Sequence, residues 1–135
     1  MDLAVRPHPA PPPLRVGYLF YRIVHMTPPA ALGDLELAVL LSVVRLGDDA
    51  YSLRLKHDVS ERRTHDYSVG AIHTALQRLE EKGLVESWMS DPLPVRGGRS
   101  RRQYRVTAAG QRALHDARQE ATRLWADVEL RGRPA

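Results

Sequence analysis

Between Ser68 and Gly83 the apolar residues Val69, Ile72, Leu76 and Leu79 recur at steps of three, four and three. At about one hundred degrees per residue this places all four on one side of a helix. Gly70, Thr74, Gln77 and Glu81 then lie opposite. Ser68 is a good N-cap residue and Gly83 a natural terminator. The helix cannot run on. Leu84 to Met89 contains Val85 and Trp88, which favour strand. Pro92, Pro94 and Gly97-Gly98 mark an irregular turn. Gln103 to Thr107 then alternates Tyr104 and Val106 with Gln103 and Arg105, the pattern of a returning strand. An amphipathic helix with a hairpin hung directly on its end is the constraint the rest of the chain must satisfy.

Upstream, Leu35, Ala38, Val39, Leu41, Val43, Val44 and Leu46 leave almost no polar side. A first helix is expected there, capped by Asp34, ended by Gly47 and mostly buried. A second helix is expected over roughly residues 50–63, capped by Asp48 or Asp49. Tyr51, Leu53, Leu55 and Val59 are its apolar residues, and Arg62 and Arg63 suit its negative end. Downstream, Thr107 caps a long helix reaching about Leu130. The order is helix, helix, helix, hairpin, helix. The expected fold is mainly α: a winged helix-turn-helix of three helices plus a β-hairpin wing, with an additional C-terminal helix.

The charge is unevenly placed. Net charge is +4, yet residues 33–66 hold five basic side chains against seven acidic ones, and residues 67–93 two against four. Residues 94–106 carry Arg96, Arg99, Arg101, Arg102 and Arg105 and no acid. A cluster of this kind on a near-neutral body points to one anionic contact surface. A solvated loop in an arginine-rich chain is the plainer alternative, since there are 18 Arg and 2 Lys.

Residues 1–31 differ from the rest. They hold seven of the ten prolines, which block helix and remove strand donors. A disordered or non-native tail is expected there, although Val16 to Val24 is an apolar patch. The domain division expected is a tail at 1–31, a winged helix-turn-helix at 32–107, a dimerisation helix at 108–130 and a short tail at 131–135. With no cysteine, disulfides, thiol catalysis and cysteine zinc sites are excluded. His57 and His65 stand eight apart without a third ligand, so no metal is expected. No phosphate loop, HExxH or nucleophile motif appears, so neither catalysis nor a cofactor is expected. The longest apolar stretch, Leu35 to Val44, is too short to cross a bilayer.

The helix at 68–83 has features suited to a DNA major groove. Gly70 and Ala71 are small enough for close approach, and Ser68 with the free amides of the first turn can meet a phosphate. Thr74 can touch a thymine methyl, and Gln77 can pair with adenine. His73 is a boundary residue, able either to lie under the helix or to reach a phosphate. Arg96, Arg99, Arg101 and Arg102 suit a wing on the phosphate backbone or in the minor groove. A wet helix face would explain the helix alone; beside the arginine hairpin, double-stranded DNA is the preferred partner. In the last helix, Leu114, Ala117, Ala121, Leu124 and Val128 step by three, four, three and four. That is a heptad seam over about two heptads, fitting a second copy of the chain, with packing on the first helix as the alternative.

The stretches LGDLELAVLLSVVRLGDDAYSLRLKHDV, SVGAIHTALQRLEEKGLVES and GGRSRRQYRVTAAGQRAL resemble the PadR family of transcriptional regulators, in its short form with a single C-terminal helix. The resemblance covers about residues 32–130. It implies a small, cytoplasmic, homodimeric DNA-binding repressor acting on a palindromic operator. Relatives often carry Gly at Ser52, Tyr at His73 and Tyr at Gln103. It also makes Trp125, beside the seam, a candidate for lining a small-molecule effector pocket at the dimer interface, with core packing as the plainer role. A winged-helix protein-interaction module without DNA binding is the competing function.

Overall fold

The computed structural model describes residues 32–90 and 100–133. The expectations for residues 1–31, and for Arg96, Gly97, Gly98 and Arg99, lie outside the described residues. Within them the elements are α1 (Asp34–Leu46), a 3-10 turn (Gly47–Asp49), α2 (Ser52–Arg63), α3 (Val69–Glu81), β1 (Val85–Met89), β2 (Arg102–Val106) and α4 (Ala108–Trp125). This is the expected mainly α winged helix-turn-helix with one further helix.

The start of α1 differs from expectation. Gly33, not Asp34, is the N-cap. The Glu36 carboxylate reaches back and accepts the Gly33 N–H at 2.7 Å, which satisfies the helix end without Asp34. Asp34 instead pairs with Arg63 at 2.5 Å. Nor is α1 buried all round. Val39, Leu40, Ser42 and Val43 are buried, whereas Leu41 and Val44 are 40% and 43% exposed, as the described elements pack on one side of the helix. Gly47 ends α1 at φ 54°, a left-handed value that favours glycine.

The helix α2 also starts later than expected. Asp48 and Asp49 belong to the 3-10 turn, and the N-cap is Tyr51. The cause is a long-range pairing. The Tyr104 N–H donates to the Ala50 carbonyl at 2.9 Å, and Tyr51 forms an antiparallel bridge with Gln103. Ala50 and Tyr51 are thereby held along the free edge of β2, Tyr51 in extended conformation, and the helix begins only after them.

In α3, Ile72, Ala75, Leu76 and Leu79 are buried, and Val69, at the first position, is 40% exposed. Ser68 caps the helix, accepting the Ala71 N–H at 3.0 Å. β1 and β2 pair antiparallel from Val85–Val106 to Met89–Arg102. The core joins Val39, Leu40, Val43, Leu55, Val59, Ile72, Leu76, Leu79, Leu84, Val85 and Tyr104. Burial raises the Tyr104 hydroxyl above its ordinary pKa.

The start of α4 is fastened to this core. Thr107 caps it, accepting the Gly110 N–H at 3.0 Å, while its hydroxyl donates to the Gly83 carbonyl at 2.6 Å. Ala109, Ala113 and Leu114 pack against the core. The helix ends at Trp125, five residues before the expected Leu130, as Ala126 leaves the helical region and Asp127 turns to φ 62°. Aspartate tolerates that conformation better than most residues. Val128 therefore lies beyond the helix. Among the described residues, no helix is long and apolar enough to cross a membrane, and no group of three or more His, Asp or Glu could hold a metal ion.

Candidate nucleic-acid interface

The exposed side of α3 consists of Gly70, His73, Thr74, Gln77, Arg78, Glu80 and Glu81. Ser68 is also exposed and Ala71 half-buried. His73 is thus on the open side and not under the helix. A Cβ built on Gly70 would meet only the Ser68 hydroxyl, at 3.9 Å, so the backbone there is open to a ligand. The Thr74 hydroxyl donates to the Gly70 carbonyl at 3.0 Å. What Thr74 offers outward is therefore its methyl group and an oxygen lone pair. The last turn of this side carries the acidic Glu80 and Glu81 beside Arg78, whereas the first two turns carry no acid.

Two charge clusters join α1 to α3 and α1 to α2. The Lys82 ammonium, at the end of α3, donates to both carboxylate oxygens of Glu36 at 2.8 and 3.0 Å. Burial pushes the Glu36 carboxyl up. Hydrogen bonds from Lys82 and the Gly33 backbone, with the charges of Lys82 and Arg78, outweigh it and hold the group below its ordinary pKa. Asp58 in α2 accepts from Ser42 at 2.7 Å and from Arg45 at 2.6 Å, both on α1, and from Arg62 at 3.1 Å. Burial again raises its pKa, and these bonds bring it below the ordinary value. Helices α1, α2 and α3 are fixed to one another by these contacts as well as by the core. The Glu36–Lys82, Asp58–Ser42 and Asp58–Arg45 contacts are not legible in the sequence, because these partners stand 46, 16 and 13 residues apart.

The hairpin arginines are not equivalent. Arg105 is ion-paired with Glu86 across the strands, and its guanidinium lies over the Trp88 ring, 5.3 Å from the centroid. Arg102 donates to the Ser87 hydroxyl at 3.0 Å, and Ser87 in turn donates to Glu80 at 2.6 Å. That chain of bonds ties β2 to the end of α3. Arg101 has no carboxylate partner among the described residues. Its guanidinium sits 4.3 Å from the Tyr51 ring centroid. The pairing of β1 and β2 continues toward the tip, as the Ser90 N–H donates to the Arg101 carbonyl at 2.7 Å.

The seam residues of α4 divide in two. Leu114 packs on the core and Ala117 is half-buried, so part of the heptad serves this chain's own domain. Ala121 is exposed, Leu124 is 71% exposed and Trp125 62% exposed. Val128 is exposed beyond the helix.

Comparison with known proteins bears on this arrangement. A family model described as the transcriptional regulator PadR-like family matches residues 40–116. Among solved structures, the chain is similar to a PadR family transcription regulator from Clostridium difficile, with 24% identity and a TM-score of 0.56 over 68% of this chain and 91% of that one. It is similar to a PadR-like transcriptional regulator from Bacillus cereus, at 21% identity and a TM-score of 0.56, over 67% of this chain and 82% of that one. A PadR family transcriptional regulator from Eggerthella lenta gives 23% identity and a TM-score of 0.51, over 78% and 88%. At these identities the structural likeness speaks for the fold. No curated protein matches the sequence.

Proposed function

The chain belongs to the transcriptional regulator PadR-like family, and on that premise we propose that it is a homodimeric, sequence-specific repressor of double-stranded DNA operators. The observation that carries this reading is the open side of α3, with Gly70, Thr74 and Gln77 exposed next to an arginine-bearing hairpin. On this reading α3 enters the major groove. Gln77 and Thr74 read base edges, and Ser68, Gly70, Ala71 and His73 lie close to the backbone. The hairpin lays Arg96, Arg99, Arg101 and Arg102 on phosphates or in the minor groove. Residues 32–107 make the DNA contact, and 108–130 supply the seam for a second copy. Two copies read a palindrome whose half-sites are about 10 bp apart, or a multiple of that. Trp125 is offered as part of an effector pocket between the two copies. The protein acts in the cytoplasm, where its DNA is.

A mobility-shift series across salt, on the DNA upstream of the gene itself, tests the reading. Replacing Arg99, Arg101 and Arg102 by Ala weakens binding to every sequence and flattens the salt slope by roughly one unit per lost phosphate contact. An unchanged slope overturns the wing assignment. Failure of the wild type to bind any duplex favours a protein-interaction module.

A further inference from the structure

Tyr51 is an unusual residue for the position it holds. As N-cap of α2 it has no side-chain acceptor for the first-turn amides, and none is bonded. Ser, Thr, Asp or Asn there stabilise a helix by about 1 kcal/mol over residues that cannot cap. The backbone of Tyr51 is nevertheless strongly fixed. Its N–H donates to the Asp49 carbonyl at 3.0 Å, and its carbonyl accepts the Leu55 N–H at 2.9 Å. Its residue pairs with Gln103. Bridge partners share a sheet face, and in β2 that face also carries Arg105 and, one step beyond the strand, Arg101. The ring is therefore a half-buried, rigidly mounted platform, and the Arg101 guanidinium lies on it at 4.3 Å from the centroid.

A guanidinium stacked by its face on a ring keeps its N–H groups free at the edge, where they can grip a phosphate in a fork. An unstacked arginine on a hairpin must give up side-chain freedom to do the same. The Arg105–Trp88 pair repeats the contact at 5.3 Å but is neutralised by Glu86. Arg101 is the hairpin cation in which a ring contact coincides with a charge that no carboxylate among the described residues offsets.

We propose that Tyr51 is a positioning residue for DNA binding: its ring holds the Arg101 guanidinium over it by a cation–π contact, so that this arginine is already placed to meet a phosphate. The inference rests on the hairpin being a DNA-contacting wing.

The experiment is a double-mutant cycle on the full chain, read by fluorescence anisotropy on a labelled random-sequence duplex across salt, with helix content and melting temperature followed for each variant. Arg101→Ala is expected to weaken binding and lower the salt slope. Tyr51→Leu is expected to weaken binding by roughly two- to fivefold, from a cation–π contact at an exposed site, while the slope stays as in wild type because no charge is lost. Tyr51→Phe keeps the ring and should bind as wild type. In the Arg101→Ala background, Tyr51→Leu should have no further effect. Arg101→Lys keeps the charge without the planar stack and should behave like Tyr51→Leu, which tests the idea even where the leucine variant folds poorly. An equal effect of Tyr51→Leu in both backgrounds, a Phe variant as weak as the Leu variant, or full binding by Arg101→Lys overturns the positioning role and leaves the wing intact. Unchanged affinity and slope in Arg101→Ala overturns the wing contact of Arg101 itself, and the inference with it.

Discussion

Gly110 should be replaceable by nothing larger, although it sits in a helix where alanine is normally better. It is the third residue of α4, where the helix crosses the end of the α3–β1 connection. A Cβ built on it would stand 2.2 Å from the Leu84 carbonyl oxygen and 2.5 Å from a Val106 methyl. The first obstacle is backbone and cannot rotate away. The same carbonyl accepts the Thr107 N–H at 3.0 Å, so lifting the helix to make room also stretches the bonds that start it. Overpacking costs about 1–3 kcal/mol, and weakening the Thr107 contacts adds about 1 kcal/mol. The helix-propensity gain of Gly→Ala returns at most about 1 kcal/mol. The net loss is about 1–4 kcal/mol, which for a folded unit of this size lowers the melting temperature by on the order of 5–30 °C. Gly70→Ala is the matched control, because a Cβ there meets only the Ser68 hydroxyl at 3.9 Å. That change should raise the melting temperature by a few degrees, up to about 1 kcal/mol, yet weaken DNA binding by crowding the groove-facing side. Thermal unfolding at one fixed protein concentration reads both. A Gly110→Ala variant melting at or above wild type would refute the argument.

The parts of the fold legible in the sequence are those fixed within a few residues. Ile72, Leu76 and Leu79 are buried together because their spacing already places them on one side of a helix. Ser68 and Thr107 cap their helices through amides three residues on, at Ala71 and Gly110. The errors lie where a distant partner decides. Asp34 and Asp48 are good caps in isolation. Glu36 outcompetes the first by reaching Gly33, and β2 displaces the second by pairing with Ala50 and Tyr51 from more than fifty residues away. The candidate site divides the same way. The open side of α3 is visible from periodicity. That Arg105 is cancelled by Glu86 and Arg102 tied to Ser87 depends on strand register, which no local pattern states. The end of α4 is poorly written for another reason: past Ala117 the helix is exposed and packs on none of the core residues, so the apolar pattern continues through Val128 and Leu130 while the helix does not.

Three further outcomes follow. Gln77→Ala should relax the preferred base at one operator position, costing about 1–3 kcal/mol there; selection from random DNA that returned the wild-type motif would remove Gln77 as a reader. Because the folded Glu36 carboxyl is held below its ordinary pKa, the unfolded chain takes up its proton first, so this group's stabilisation is full above the ordinary glutamate range and is lost as pH falls through the lower, folded value. Denaturant unfolding across acid pH should show a steeper fall for wild type than for Glu36→Gln, and equal slopes would refute it. Finally, Leu124→Asp addresses assembly. Leu124 is 71% exposed in one chain, and a dimer seam is the arrangement that would remove that apolar surface from water. In such a seam the new carboxylate would face desolvation and its own symmetry mate, and both oppose association. Buried in nothing within its own domain, it should leave helix content unchanged. Sedimentation should therefore find wild type dimeric and Leu124→Asp monomeric; a wild-type monomer at micromolar concentrations, or a mutant dimer as tight as wild type, would exclude the outer half of α4 as the seam.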